Sequence, residues 1–157
     1  CISSAASDVY KRQVAFGTPV ARRLGSGRFI LFSLAGALGG AALFYIMNPD
    51  LLQPMIGASG VVSALMGGAC RFALGAPGQL TSGAIALAPR MTVAQSLSNR
   101  TVLIFTLIFF ATNIAIGSVG FGGDGASVAW EAHLGGFALG FLAFGFFDPV
   151  PWRNTHH

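Results

Sequence analysis

The sequence predicts an all-α, polytopic membrane protein, folded as a bundle of four transmembrane helices. Of its 157 residues, 54% are hydrophobic and only 9% are charged, whereas a soluble domain has about 25% charged residues. Four apolar runs each approach the roughly 20 residues that a helix needs to cross a bilayer. The 22 glycines are also typical of membrane helices that pack closely.

The predicted spans cover about residues 29–47, 55–71, 101–121 and 130–147. Residues 14–28 precede the first span and predict a basic turn around Gly25. The second span is interrupted early by Pro54. Between Arg71 and Arg90 the chain is less apolar and contains glycine, proline and polar residues, so we predict a loop there.

The arginines predict how the bundle is oriented. Those after residue 13 lie before the first span, between the second and third spans, and after the fourth: Arg22, Arg23, Arg28, Arg71, Arg90, Arg100 and Arg153. The loops around residues 48–54 and 117–130 contain no Lys or Arg. The positive-inside rule therefore places the starts of the second and fourth spans at the outer face of a multi-pass protein. Because the arginines flank apolar runs and are not interleaved with aromatic residues, the expected partner is the lipid bilayer and not nucleic acid.

The two ends of the chain are predicted to lie outside the folded domain. Residues 1–13 are polar and lack an initiator Met, which we interpret as a non-native or disordered lead-in to a natural product that is longer. Residues 14–149 form a partial membrane domain, and residues 150–157 form a tail. Cys1 and Cys70 imply no disulfide framework, and we expect no metal site or cofactor.

Ser59 and His133 are the candidate catalytic residues. Ser59 lies in the motif Gly57-Ala58-Ser59-Gly60 at the start of the second span, and His133 lies in Ala132-His133-Leu134-Gly135-Gly136-Phe137 at the start of the fourth. A helical wheel puts Ser59 on a face of small residues, namely Gly60, Ser63, Ala64, Gly67 and Cys70. His133 lies at the edge of a similar stripe, namely Gly136, Gly140 and Ala143. Small-residue faces pack closely in membranes, so the hydroxyl and the imidazole would meet if these two helices are neighbours.

The chemistry expected of this pair is nucleophilic catalysis. A serine hydroxyl becomes a good nucleophile when a hydrogen-bonded base takes its proton, and His133 is the only histidine outside the C-terminal tail. Backbone N–H groups near Gly57, Ala58 and Gly60 would lie at a helix N-terminus, where they suit an oxyanion.

Other interpretations of these polar residues remain open. Ser59 alone would fit a packing serine bonded to a backbone carbonyl, and His133 alone would fit an interfacial histidine paired with Glu131 or a loop carbonyl. Asn113 predicts an interhelical hydrogen bond. Phe105, Phe109 and Phe110 are expected to pack or to face lipid. Three carboxylates are expected to be solvated at the outer face and not to serve as a catalytic acid: Asp50, Asp124 and Glu131.

Taken together, the two motifs resemble the signature motifs of the rhomboid intramembrane serine proteases. The segment from Arg22 to Phe29 is similar to the loop between the second and third helices of that family, and the resemblance covers about residues 14–147. It implies that the four spans are helices three to six of a six-helix core in a bacterial inner membrane. It also implies that Ser59 is the nucleophile and His133 the general base of a dyad without an acidic third member. Such an enzyme cleaves transmembrane protein substrates near the outer membrane surface.

Two departures from the family pattern stand out. The family's first helix, the loop after it and most of its second helix have no counterpart, and the second helix usually supplies a His and an Asn to the oxyanion site. Ser63 stands where the family usually has a larger residue that packs on the histidine, so His133 must be braced in another way.

The alternative function is that of a rhomboid-like pseudoprotease, which binds transmembrane helices without cleaving them. The presence of both Ser59 and His133 favours the protease. A channel or transporter has no support, because the spans contain neither a ring of intramembrane charges nor a pair of broken helices.

Overall fold

The computed structural model describes residues 16–50, 58–74, 83–119 and 130–150. This part of the chain contains five α-helices and one short 3₁₀ helix, Gly83–Leu87, and no strand. The α-helices are α1 (Thr18–Met47), α2 (Ser59–Ala69), α3 (Val93–Ser98), α4 (Arg100–Val119) and α5 (Trp130–Phe147). The prediction of an all-α fold is therefore confirmed for the described residues. The predictions for the lead-in 1–13, for Gly57 and Asp124, and for residues 151–157 of the tail fall outside them.

Helix α1 begins at Thr18, well before the predicted start of the first span at residue 29. The predicted basic turn is correct only at Gly25, which interrupts the helix with φ 71° and ψ 166°. This left-handed φ favours glycine because a Cβ would crowd the following carbonyl. The residues before the break are helical because Pro19 suits a first turn and because Val20 and Leu24 bury their side chains in the core.

Helices α1, α2 and α5 form the centre of the bundle. Helix α5 runs parallel to α2, since Gly136 lies against Gly60 and Gly140 against Ala64. Helix α1 runs antiparallel to α2, since its Gly36 lies against Ala64 and the later Gly40 lies against Gly60. The starts of α2 and α5 therefore lie at the same end of the bundle, as the arginine distribution predicts.

These contacts define two ends of the molecule. The serine end contains the first turns of α2 and α5, with Ser59 and His133. The arginine end contains the C-terminal ends of the same helices, with Arg71 and Asp148. Helix α4 packs beside α5, where Phe109 and Phe110 contact the ring of Phe137.

Two of the described helices, α1 and α5, are long and apolar enough to cross a membrane, where the sequence predicted four such spans. Helix α2 has 11 residues, which is a length of about 16 Å. Its residues from Val62 to Ala69 are all buried, so this helix is enclosed by protein and its length is not set by contact with lipid. In α4 the shorter stretch Arg100–Ala115 is apolar.

Large apolar side chains on the outside of the bundle are exposed. They include Ile30, Leu31, Leu34 and Leu38 of α1, Leu103, Ile104, Leu107 and Ile108 of α4, and Leu142 and Phe146 of α5. Contiguous apolar surface of this kind is rare on soluble monomers, and it is the surface that a helix bundle presents to lipid.

Candidate active site

The first turns of α2 and α5 are in direct backbone contact. A Cβ added at Gly136 would overlap the carbonyl of Gly60, and one added at Gly140 would overlap the carbonyl of Ala64. Gly60 also lies against Ala132, whose carbonyl oxygen would be 3.7 Å from a Cβ at position 60. Ser59 directly precedes Gly60 and His133 directly follows Ala132, so each candidate residue lies one position along the chain from this contact.

Ser59 is the first residue of α2 and is half-buried, and Ala58 occupies the N-cap position and is exposed. The helical hydrogen bonds recorded at this end begin with the Val62 N–H, which donates to the Ala58 carbonyl at 2.9 Å. In such a first turn the preceding N–H groups point out of the helix end and carry partial positive charge. The structure thus places a hydroxyl and backbone donors at one helix terminus.

His133 is half-buried and contacts helix α4 through Asn113. The Nδ1 atom of His133 lies 2.6 Å from Oδ1 of Asn113. The Asn113 amide is oriented by a second hydrogen bond, in which Nδ2 donates to the Phe109 carbonyl at 2.8 Å. Because an amide oxygen only accepts, Nδ1 carries a proton, and in the neutral imidazole Nε2 is then the acceptor. This network therefore assigns the tautomer that a general base requires.

The interhelical hydrogen bond predicted for Asn113 is present, but sequence reasoning did not identify His133 as its partner. Asn113 itself is the signal that could have revealed this contact, because an amide in the middle of an apolar span needs a hydrogen-bond partner inside the bundle. Aromatic packing stabilises the same contact. The ring of Phe109 stacks on Phe137 with centroids 4.7 Å apart, and Phe110 meets Phe137 edge-on at 5.6 Å.

Ser63, one turn below Ser59, is buried in the core of the bundle. Ser63 has no ring that could pack on the imidazole of His133, whereas the family pattern has a larger residue at this position. The support for His133 comes instead from the neighbouring helix α4, through the Asn113 amide.

Glu131 corrects one expectation. It was predicted to be solvated, but its side chain is only 9% exposed and accepts a hydrogen bond from Nδ2 of Asn48 at 3.2 Å. A carboxylate in the first turn of a helix is favoured by the helix dipole, and here it also ties the C-terminal end of α1 to α5. Asp50 is exposed, as expected. Within the described ranges, no three His, Cys, Asp or Glu side chains form a group that could hold a metal ion.

The chain is similar to known proteins. A family model described as "Rhomboid domain" matches residues 12–148. The chain is 29% identical over 127 residues to "Rhomboid protease GluP" of Bacillus subtilis (strain 168), a match that covers 81% of this chain and 20% of that protein. The chain thus spans about a fifth of the length of this relative. No solved structure matches it.

Proposed function

The chain belongs to the rhomboid family of membrane proteins, and we propose that it is an intramembrane serine endopeptidase in which Ser59 is the nucleophile and His133 the general base. The observation that carries this proposal is the backbone contact between the starts of α2 and α5, which brings Gly60 against Ala132 and Gly136. The relative in Bacillus subtilis that is named a protease supports the same reaction class.

In the proposed mechanism the Ser59 Oγ attacks the carbonyl carbon of the scissile peptide bond while Nε2 of His133 takes the hydroxyl proton. The resulting oxyanion is stabilised by first-turn N–H groups of α2, near Ala58 and Gly60, with Gly57 as a further contributor. The C–N bond then breaks, and Nε2 returns the proton to the leaving amine. Water repeats the sequence on the acyl-enzyme: it gives its proton to Nε2, and the serine is regenerated.

Asn113 is the positioning residue in this mechanism. Its amide oxygen holds Nδ1–H of His133 at 2.6 Å, which directs Nε2 away from α4. Since Asn113 is fixed in turn by the Phe109 carbonyl, the imidazole is oriented before substrate arrives. A neutral amide keeps the tautomer without adding a charge, so the pair acts as a dyad with an oriented base and without an acidic third member.

The same proposal places α1, α2, α4 and α5 in the membrane as four spans of a multi-pass protein, in a bacterial inner membrane. The serine end faces outward and the arginine end faces the cytoplasm, in accord with the positive-inside rule. The substrates are transmembrane proteins, which are cut near the outer surface. The exposed apolar side chains of α1 and α4 support this placement.

The decisive experiment is covalent labelling of the full gene product in liposomes with a fluorophosphonate probe. We expect labelling of the parent protein and none for Ser59→Ala or His133→Ala. Ser63→Ala is the matched control, because it removes a hydroxyl from the same helix one turn deeper, and it should still be labelled. If the parent protein captures a transmembrane segment without cleaving it, and the probe does not react at Ser59, the pseudoprotease replaces the protease.

A further inference from the structure

The arginine end holds a buried charge cluster that the proposed catalysis does not use. Arg23 and Asp148 form a two-pronged pair in which Nε and one Nη nitrogen each lie 2.9 Å from a different carboxylate oxygen. Both side chains are fully enclosed. The other Nη nitrogen of Arg23 donates to the carbonyls of Ala86 and Ala88, at 3.1 and 2.6 Å. The carboxylate of Asp148 is thus already committed to Arg23.

Two further arginines of the cluster are held mainly by uncharged groups. Arg71 donates to the carbonyl of Met91, at 3.2 and 2.9 Å, and to that of Phe141 at 2.6 Å. Arg90 donates to the Gly145 carbonyl at 2.9 Å, and its ion-pair distance to Asp148 is 3.5 Å. Backbone carbonyls satisfy N–H groups but supply no net negative charge. Among the described residues, three guanidinium groups therefore share a single carboxylate.

The two incompletely neutralised arginines line a cavity. It has a volume of about 280 Å³, and its walls are Arg71, Arg90, Thr92 and Val93. One water molecule needs only about 10–15 Å³ of such space, so this cavity, which is open on one side, has room for a tetrahedral oxyanion and part of its substituents. Guanidinium groups are well suited to phosphate because their planar N–H forks match its oxygen atoms.

We propose that this cavity binds the phosphate of an anionic phospholipid from the leaflet at the arginine end. The phosphodiester would lie between Arg71 and Arg90 and supply the negative charge that the cluster lacks. Basic pockets at the cytoplasmic ends of membrane helices bind lipid head groups on this principle.

Apolar residues close to the cavity residues in the chain favour a lipid over free inorganic phosphate. Leu87 and Leu97 lie on either side of the cavity residues in the chain, and both are exposed, Leu87 to 76%. Leucines in these positions are stable where they reach acyl chains, and Val93 adds an apolar wall beside the arginines. An ester of phosphate with hydrocarbon chains satisfies both the charged and the apolar parts of this surface.

The test measures lipid binding to the detergent-purified full chain by native mass spectrometry and by the shift in thermal unfolding temperature. The probes are phosphatidylglycerol, phosphatidylcholine and inorganic phosphate. We expect phosphatidylglycerol to bind about tenfold more tightly than phosphatidylcholine. Both lipids carry the phosphodiester, but the choline cation of phosphatidylcholine offsets its negative charge beside the arginines, and a charge-assisted contact is worth about that factor. Inorganic phosphate should cause at most a small shift.

Arg90→Gln removes one of the cavity's two cations, and Arg28→Gln is the control with the same change in net charge at an exposed arginine. Only Arg90→Gln should lose the preference for phosphatidylglycerol. Val93→Asp is the second variant: it leaves both arginines in place but adds a negative charge to the cavity wall, and it should also lose the preference.

Three results would overturn the proposal: equal binding of the two lipids, equal losses in Arg28→Gln and Arg90→Gln, or a full shift with inorganic phosphate alone. Labelling at Ser59 serves as the folding control, because the cavity lies at the opposite end of α5, roughly 20 Å from His133 at 1.5 Å per residue. Loss of lipid binding can thus be distinguished from loss of the proposed protease activity.

Discussion

Replacing Gly136 with alanine tests the contact on which the candidate active site depends. The added Cβ would overlap the carbonyl oxygen of Gly60 and would lie 2.9 Å from its carbonyl carbon and 3.0 Å from its Cα. All three atoms belong to the backbone of α2, so no side chain can rotate to make room. The variant must therefore push α2 and α5 apart at the serine end.

The size of the effect follows from these distances. Carbon atoms pack at about 3.5 Å or more, so the helices must separate by roughly 0.6 Å or more. Overpacking of this kind lowers the free energy of unfolding by about 1–3 kcal/mol. A misplacement approaching 1 Å costs about 100-fold in rate, and we expect the rate of fluorophosphonate labelling at Ser59 to fall by at least about tenfold.

The assay combines unfolding by sodium dodecyl sulfate in detergent micelles with the labelling rate of the folded fraction. Gly27→Ala is the matched control, because a Cβ at that helical position meets nothing within 4 Å. It should leave labelling unchanged and should leave the free energy of unfolding equal or raise it by up to about 1 kcal/mol. If Gly136→Ala unfolds and labels like the parent protein, the helices are not in the backbone contact described above.

Substitutions at three further positions test other parts of the molecule. Asn113→Ala should slow labelling of Ser59 about tenfold, because His133 loses the hydrogen bond that sets its tautomer. Asn113→Asp keeps an acceptor oxygen and should restore most of the rate. Equal labelling rates in the two variants would contradict a positioning role for Asn113. Gly25→Ala should lower the free energy of unfolding by about 1–2 kcal/mol because its φ is positive, measured by detergent unfolding, and an increase would show that the break is absent. Asp148→Asn should lower the free energy of unfolding by about 3–5 kcal/mol, since Arg23 is left buried without its counter-charge. A change below about 1 kcal/mol in the same assay would show that the pair does not stabilise the fold in this way.

Much of the helical architecture could be predicted from composition and charge. Apolar runs indicated α1, α4 and α5 because a bilayer requires long uncharged helices, and the arginine distribution indicated which helix ends lie together. Boundaries were less accurate. Thr18 to Leu24 is helical because Val20 and Leu24 pack into the core, and that contact is invisible to a pattern which records only the surrounding arginines.

The length of α2 in the structure is a second feature that the sequence did not predict. Its sequence is apolar on every side, which is equally typical of a helix in lipid and of one surrounded by other helices. Only the packed structure distinguishes the two, because Gly36, Gly136 and Gly140 allow the neighbouring backbones to approach closely enough to bury Val62 to Ala69 of α2.

The candidate site, too, could be predicted only in part from the sequence. The motifs around Ser59 and His133 are local in sequence. Because the second and fourth of four successive spans start at the same membrane face, the pair could be predicted from sequence alone. The partner of His133 could not, because Asn113 reaches it from another helix.

Composition, charge and the two motifs are enough to identify a helical membrane protein of the rhomboid family, with its polar candidate residues at one end and its arginines at the other. They do not show which side chains are in contact. Asn113 contacts His133, Glu131 contacts Asn48, and Arg23 pairs with Asp148. Such contacts depend on the rotation and spacing of helices that are distant in the chain. Hydropathy and charge set the position of each segment relative to the membrane, but they carry no information about its rotation about the helix axis.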